Sequence, residues 1–150
     1  MNGAITKVQS FRAAQEFLNA YLEKRDTAGL RTVLSGMLLD ERGRSADQGT
    51  MYTWVEALAK DRGLDVQEYA DENVLDHPKA GPEEWFGALL GFLRYYADTW
   101  KGDQFDRIVS DLEAVDLTRS PERRGETWQA WQGSCERVRG WQPGAFAGGV

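Results

Sequence analysis

Between Gly81 and Trp100 the chain carries apolar side chains on too many sides for a helix lying on a surface. Trp85, Phe86, Leu89, Leu90, Phe92, Leu93, Tyr96, Ala97 and Trp100 recur at helical intervals. Together they cover more than the ~100° stripe that a surface helix buries. Gly81-Pro82-Glu83-Glu84 marks its start. Proline at the first helical position has no amide to leave unpaired, and acids in the first turn complement the helix dipole. A helix of this kind is central, so the rest of the chain must supply partners that cover it.

Those partners are legible as amphipathic helices. Thr6 and Gln9 have capping-box spacing, with Ser10 as a rival cap, and Phe11, Ala14, Leu18, Tyr21 and Leu22 follow to about Lys24. Asp26 or Thr27 can cap a second helix carrying Leu30, Val33, Leu34 and Met37 or Leu38. Asp40–Gly49 is polar and reads as a loop. Met51, Trp54, Val55 and Leu58 give a third helix ending near Gly63. Residues 64–80 show no strong period and close on His77-Pro78, which disfavours helix at His77. They read as an irregular connector with at most one helical turn. Asp103 can cap a helix that buries Phe105, Ile108, Val109 and Leu112. Ser120-Pro121 starts the last helix, with Trp128, Trp131, Cys135 and Val138 on one stripe. Strand-like alternation is scarce. The expectation is an all-α, compact single-domain bundle of about six helices over residues 1–142, with a flexible glycine-rich tail at 143–150.

Shifting the chain by 75 residues lays Phe11, Ala13, Phe17, Leu18, Tyr21 and Ser35 over Phe86, Ala88, Phe92, Leu93, Tyr96 and Ser110. Both copies read as a long helix, a break and a shorter helix. Either composition alone produces the match, or the halves are two related helical hairpins packed face to face.

The 150 residues suffice for one domain with a core, and six tryptophans with eleven other aromatics supply large units for it. The single cysteine, Cys135, excludes an internal disulfide and any multi-cysteine zinc site. The start lacks the apolar run of a secretion signal, and no run of about 18 apolar residues occurs. A cytoplasmic protein without membrane association is expected.

Catalytic and cofactor motifs are scarce. His77 is the only histidine, which rules out a multi-histidine metal centre. His-Glu-x-x-His, a glycine-rich phosphate loop and a strand–Ser–helix elbow are all missing. Asp61, Gly63, Asp65 and Glu72 fall at calcium-loop positions, but Gly63 and Val66 stand where a ligand and a glycine are required. Cys135 lies on an apolar stripe, where cysteine behaves as a small hydrophobe. No catalytic, cofactor-binding or metal residue is therefore assigned, and a non-enzymatic role is expected.

The charge distribution is more informative. Residues 1–64 hold nine Lys/Arg against eight Asp/Glu, residues 65–118 four against thirteen, and residues 119–150 five against three. The net charge of −6 thus sits in the middle third. Nucleic acid is an unsuitable partner, because phosphate contacts need clustered Lys/Arg. Either the acids serve solubility, or they form a docking surface for a basic protein, since a field of one sign steers encounter and selects partners. In the second case Glu68, Asp71, Glu72, Asp76, Asp103 and Asp106 are the charged contacts, and Tyr69 supplies buried anchoring area. Trp128, Trp131 and Trp141, set among arginines, are core residues or interface anchors.

Phe17-Leu18-x-x-Tyr21, the Leu34-Ser35 pair, the polar loop, Asp47 and the run Met51-Tyr52-Thr53-Trp54 resemble small bacterial helical immunity proteins of contact-dependent growth inhibition systems. The resemblance covers residues 11–60 and departs at Gln48, where the family pattern carries proline. It implies a cytosolic protein that binds the toxic domain of a delivered effector and blocks it. Many such toxins are nucleases with basic substrate grooves, against which the acidic middle would stand in for phosphate charge. The alternatives are a helical adaptor or self-assembling homo-oligomer, and an enzyme with a carboxylate or Cys135 site.

Overall fold

The computed structural model describes residues 3–25, 27–99 and 105–143, and within them the protein is all-α, with no strand. Seven α-helices follow in order: α1 (Lys7–Lys24), α2 (Ala28–Gly36), α3 (Gln48–Arg62), α4 (Val66–Tyr69), α5 (Pro82–Thr99), α6 (Phe105–Glu113) and α7 (Glu126–Arg137). None is long and apolar enough to cross a membrane. Residues 144–150 of the expected tail and the expected caps Asp26 and Asp103 lie outside the described residues.

Local chemistry sets most boundaries. At α1 the Gln9 amide donates to Thr6 Oγ1 at 3.1 Å and the Thr6 amide donates to Gln9 Oε1 at 3.0 Å, a complete capping box. Ser10 therefore lies inside the helix, where its hydroxyl donates to the Lys7 carbonyl. Thr27 caps α2 by accepting from the Leu30 amide. Helix α3 starts earlier than expected: Asp47 accepts from the Gly49 amide at 2.9 Å, so Gln48 and Gly49 are helical. It ends at Gly63, whose φ of 66° suits a residue without a Cβ.

The start of α7 is a correction. Ser120-Pro121 opens only a 3₁₀ turn, Pro121–Arg123, and the helix begins at Glu126 after Gly125 with φ of 90°. Arg124 holds the break in place. Its guanidinium donates to the Arg119 and Leu117 carbonyls, pairs with Glu83 at 3.1 Å and lies 4.7 Å from the centre of the Trp128 ring.

Helix α5 is the hub and packs on α3, α6 and α7. Its Trp85, Phe86, Ala88, Leu89, Phe92 and Leu93 are all buried. Trp54 stacks on Trp85 with centroids 5.6 Å apart and meets Phe92 and Phe11 edge-on. Phe17, Phe86, Trp128 and Trp131 form a second aromatic group, so Trp128 and Trp131 are core residues. The N–H groups of these four buried indoles are all used. Trp54 donates to Ser10 Oγ, Trp85 to the Ile5 carbonyl, Trp128 to Gln132 Oε1 and Trp131 to the Pro82 carbonyl. Burial therefore leaves no indole donor unpaired.

The 75-residue relation holds best over the first two helices of each half. Helices α1 and α5 each span 18 residues, and α2 and α6 each span 9. The six buried positions of α5 fall on Ser10, Phe11, Ala13, Ala14, Phe17 and Leu18 of α1, all buried. Helices α3 and α7 end at Arg62 and Arg137, again 75 apart. The third helix of each half packs on the first helix of the other, α3 on α5 and α7 on α1. The third helices share their ends and their packing but not their buried register, since buried Trp54 and Val55 fall on exposed Gln129 and Ala130.

Candidate docking surface

The connector between α3 and α5 holds most of the acids that the sequence singles out, and it has little regular structure of its own. Asp65 accepts from the Gln67 and Glu68 amides and so caps the single turn of α4. Asp71 accepts from the Asn73 amide at 2.8 Å, and the Val74 amide closes a turn on the Asp71 carbonyl. Beyond these local bonds the segment borrows its shape from the start of α1. Ile5 and Ala80 exchange both backbone hydrogen bonds, and the Val8 amide donates to the Leu75 carbonyl. Lys7 Nζ donates to the carbonyls of Tyr69 at 2.8 Å and Asp71 at 3.1 Å.

With the backbone carbonyls turned inward, the carboxylates stay outside. Glu68, Asp71 and Asp76 are exposed and Glu72 is half-buried. Glu72 accepts from Gln48 Nε2 at 2.6 Å and faces Arg44 at 3.9 Å. Arg44 is held more closely by Asp40, at 3.1 Å. The Asp40 carboxylate also accepts from the Arg44 and Arg42 amides, and these bonds, the Arg44 amide foremost, hold it below the usual carboxylate range. Among the described residues Glu68 and Asp76 have no ion-pair partner. The acids are strung along the connector; no three of His, Cys, Asp and Glu in the described residues gather as a metal-holding group.

Two sequence expectations need correction. Tyr69 is not a free anchor, because its side chain packs against the core and its carbonyl is bound by Lys7. Of the exposed large apolar residues, Tyr52 lies beside the connector, with its hydroxyl facing Gln67 Nε2 at 3.4 Å. Asp106 does not join the connector acids. It lies on α6 beside a cleft of about 570 Å³ with Tyr21, Arg25 and Arg107. Tyr21 is fourteen residues beyond Lys7 on α1, about 21 Å along the axis at 1.5 Å per residue. Asp111, placed by its spacing to pair with Arg107, accepts from the Tyr21 hydroxyl at 2.9 Å. That bond, after burial, raises the Tyr21 pKa to about 12. Asp103 lies outside the described residues.

Lys7 is the residue of this surface that sequence reasoning missed. It is 1% exposed, and burial pulls its amine from the usual 10.5 to about 8 against the opposing field of Asp71. The signal was present: Lys7, Phe11, Ala14 and Leu18 share one side of α1, which places a lysine in a buried register. Cys135, on the apolar stripe of α7, is fully buried, and burial pushes its thiol up to about 12. A thiol so placed is the reverse of an activated nucleophile. Compared with protein-family models, with curated proteins and with solved structures, the chain matches none.

Proposed function

We propose that this chain acts by stoichiometric binding, as an immunity-type inhibitor that seats the basic surface of a toxin domain against its acidic connector. The carrying observation is the connector itself. Its backbone is fastened to Lys7 and Val8 of α1 and to Ile5 just before it, and its carboxylates are left facing water. A fixed array loses less entropy on binding than a loose one. Among the described residues no ion pair offsets Glu68 or Asp76, whereas Glu72 is partly offset by Arg44. The resemblance of residues 11–60 to small immunity proteins points the same way, and a nuclease with a basic groove is the toxin class that fits the charge. Blocking of that groove by carboxylates needs no catalytic group on this chain.

The test asks whether a toxic effector domain is encoded beside this chain's gene and, where one is, uses it as the partner. Co-expression with the wild type should keep cells alive. Glu68→Lys with Asp76→Lys should slow association about tenfold or more at low salt and flatten its salt dependence, because steering charge is lost. These two positions are preferred over Asp71 and Glu72, whose side chains also hold the turn and Gln48. An unchanged association rate and salt slope would remove the connector as the docking surface. A gene without such a neighbour, or cells that die despite co-expression, would remove the immunity reading.

A further inference from the structure

A lysine buried to 1% beneath an acidic segment is a costly arrangement, because an ammonium loses hydration that hydrogen bonds to carbonyls only partly replace. The depressed basicity records that deficit: in the folded protein burial outweighs the favourable field of Asp71. Lys7 is therefore not placed for global stability. Its bonds reach 62 and 64 residues along the chain, to the carbonyls that flank the acidic turn. Around it lie Asp71 and Glu72 from the connector, Arg44 from the loop after α2, and Gln48 and Met51 from α3, which together line a cavity of about 180 Å³. Among the described residues of α1, Lys7 alone bonds the Tyr69 and Asp71 carbonyls, while Val8 bonds that of Leu75. A hydrophobic side chain of the same length fills the space and leaves both carbonyls without that donor.

We propose that Lys7 is the positioning residue of the acidic connector: it sets the register of Tyr69–Asp71 on α1, at a cost in overall stability, so that the outward carboxylates form one fixed array. The register itself stands independently of any partner. Its consequence for binding rests on the docking surface proposed above.

Two measurements on the full chain separate positioning from ordinary packing. In Lys7→Met, amide exchange over residues 66–76 should quicken about tenfold or more, the loss expected for a charge-assisted hydrogen bond. Exchange in α5 should stay the same or slow. Uniform acceleration in both regions would make Lys7 a stability residue, and no acceleration in the connector would remove the register; either result overturns the proposal. The second measurement is the pH dependence of wild-type unfolding. Between about pH 8 and 10.5 the unfolded chain keeps the Lys7 proton and the folded protein does not. Stability relative to Lys7→Met should therefore rise through that window, by up to about tenfold in the folding constant per pH unit. A flat difference would mean that the amine is not held in this buried site; if Lys7→Met fails to fold, an NMR titration of the wild-type Lys7 amine reads the same point, and titration near 10.5 instead of about 8 overturns the burial. Should connector exchange and the pH window behave as expected while toxin association is unaffected, the register stands and the docking reading falls alone.

Discussion

Helix α5 and the connector that leads into it are neighbours in sequence but are held by different forces. In α5, Trp85, Phe86, Leu89, Phe92 and Leu93 bury large apolar surfaces against three other helices, and shape follows from packing. In the connector only Ala80 and Pro78 are buried, and shape follows from a few hydrogen bonds to α1. The contrast teaches where each kind of change is felt. Loss of volume in the helical part should unfold the whole molecule. Loss of charge in the connector should leave the fold intact and alter only what the surface can attract.

Trp54→Ala is the largest break. Trp54 joins the halves, stacking on Trp85 of α5, meeting Phe11 of α1 and donating its indole N–H to Ser10. Removing it should cost about 3–5 kcal/mol, a large part of the stability of a domain this size. Chemical denaturation should place the midpoint far below the wild type or find no folded baseline. A loss under about 1 kcal/mol would mean that the two halves do not depend on this aromatic junction.

The same contrast explains what the sequence disclosed. Helix α5 was legible because its apolar residues lie within one helix, and the α1 start because Thr6 and Gln9 are three residues apart. The α7 start was misplaced because Ser120-Pro121 is a sound local signal. What overrides it is the backbone of Gly125 and the Arg124–Glu83 pair, formed across 41 residues. The acidic segment was identified by composition, but its division was hidden. Separating Asp106 from Asp71 requires knowing that they sit near opposite ends of α1. Lys7 went unread because its partners are carbonyls, which carry no signature in the sequence, and they are more than sixty residues away.

Cys135 turns the comparison into a reading of the core. Its thiol is fully buried among α7 contacts, so a thiol reagent reaches it only through opening of the fold. At pH 8 it should react at least about a thousandfold more slowly than an unfolded cysteine, as expected for a stably folded domain. In Trp54→Ala that protection should fall about a hundredfold or more, in step with the loss of stability. Fast labelling of the wild type would place Cys135 near a solvent path and reopen a nucleophilic role for it.

Glu68→Lys sharpens the other side of the comparison, because the expected effect on stability is close to none. Glu68 is exposed and has no ion-pair partner among the described residues, and the cap of α4 is Asp65 rather than Glu68. Its one structural contribution is a negative charge in the first turn of a four-residue helix, which is a weak term. Stability should change by less than about 0.5 kcal/mol, and Cys135 labelling by no more than about twofold. A larger loss would show that the connector acids support the fold, and their outward charge would then have a structural reason to exist without any partner.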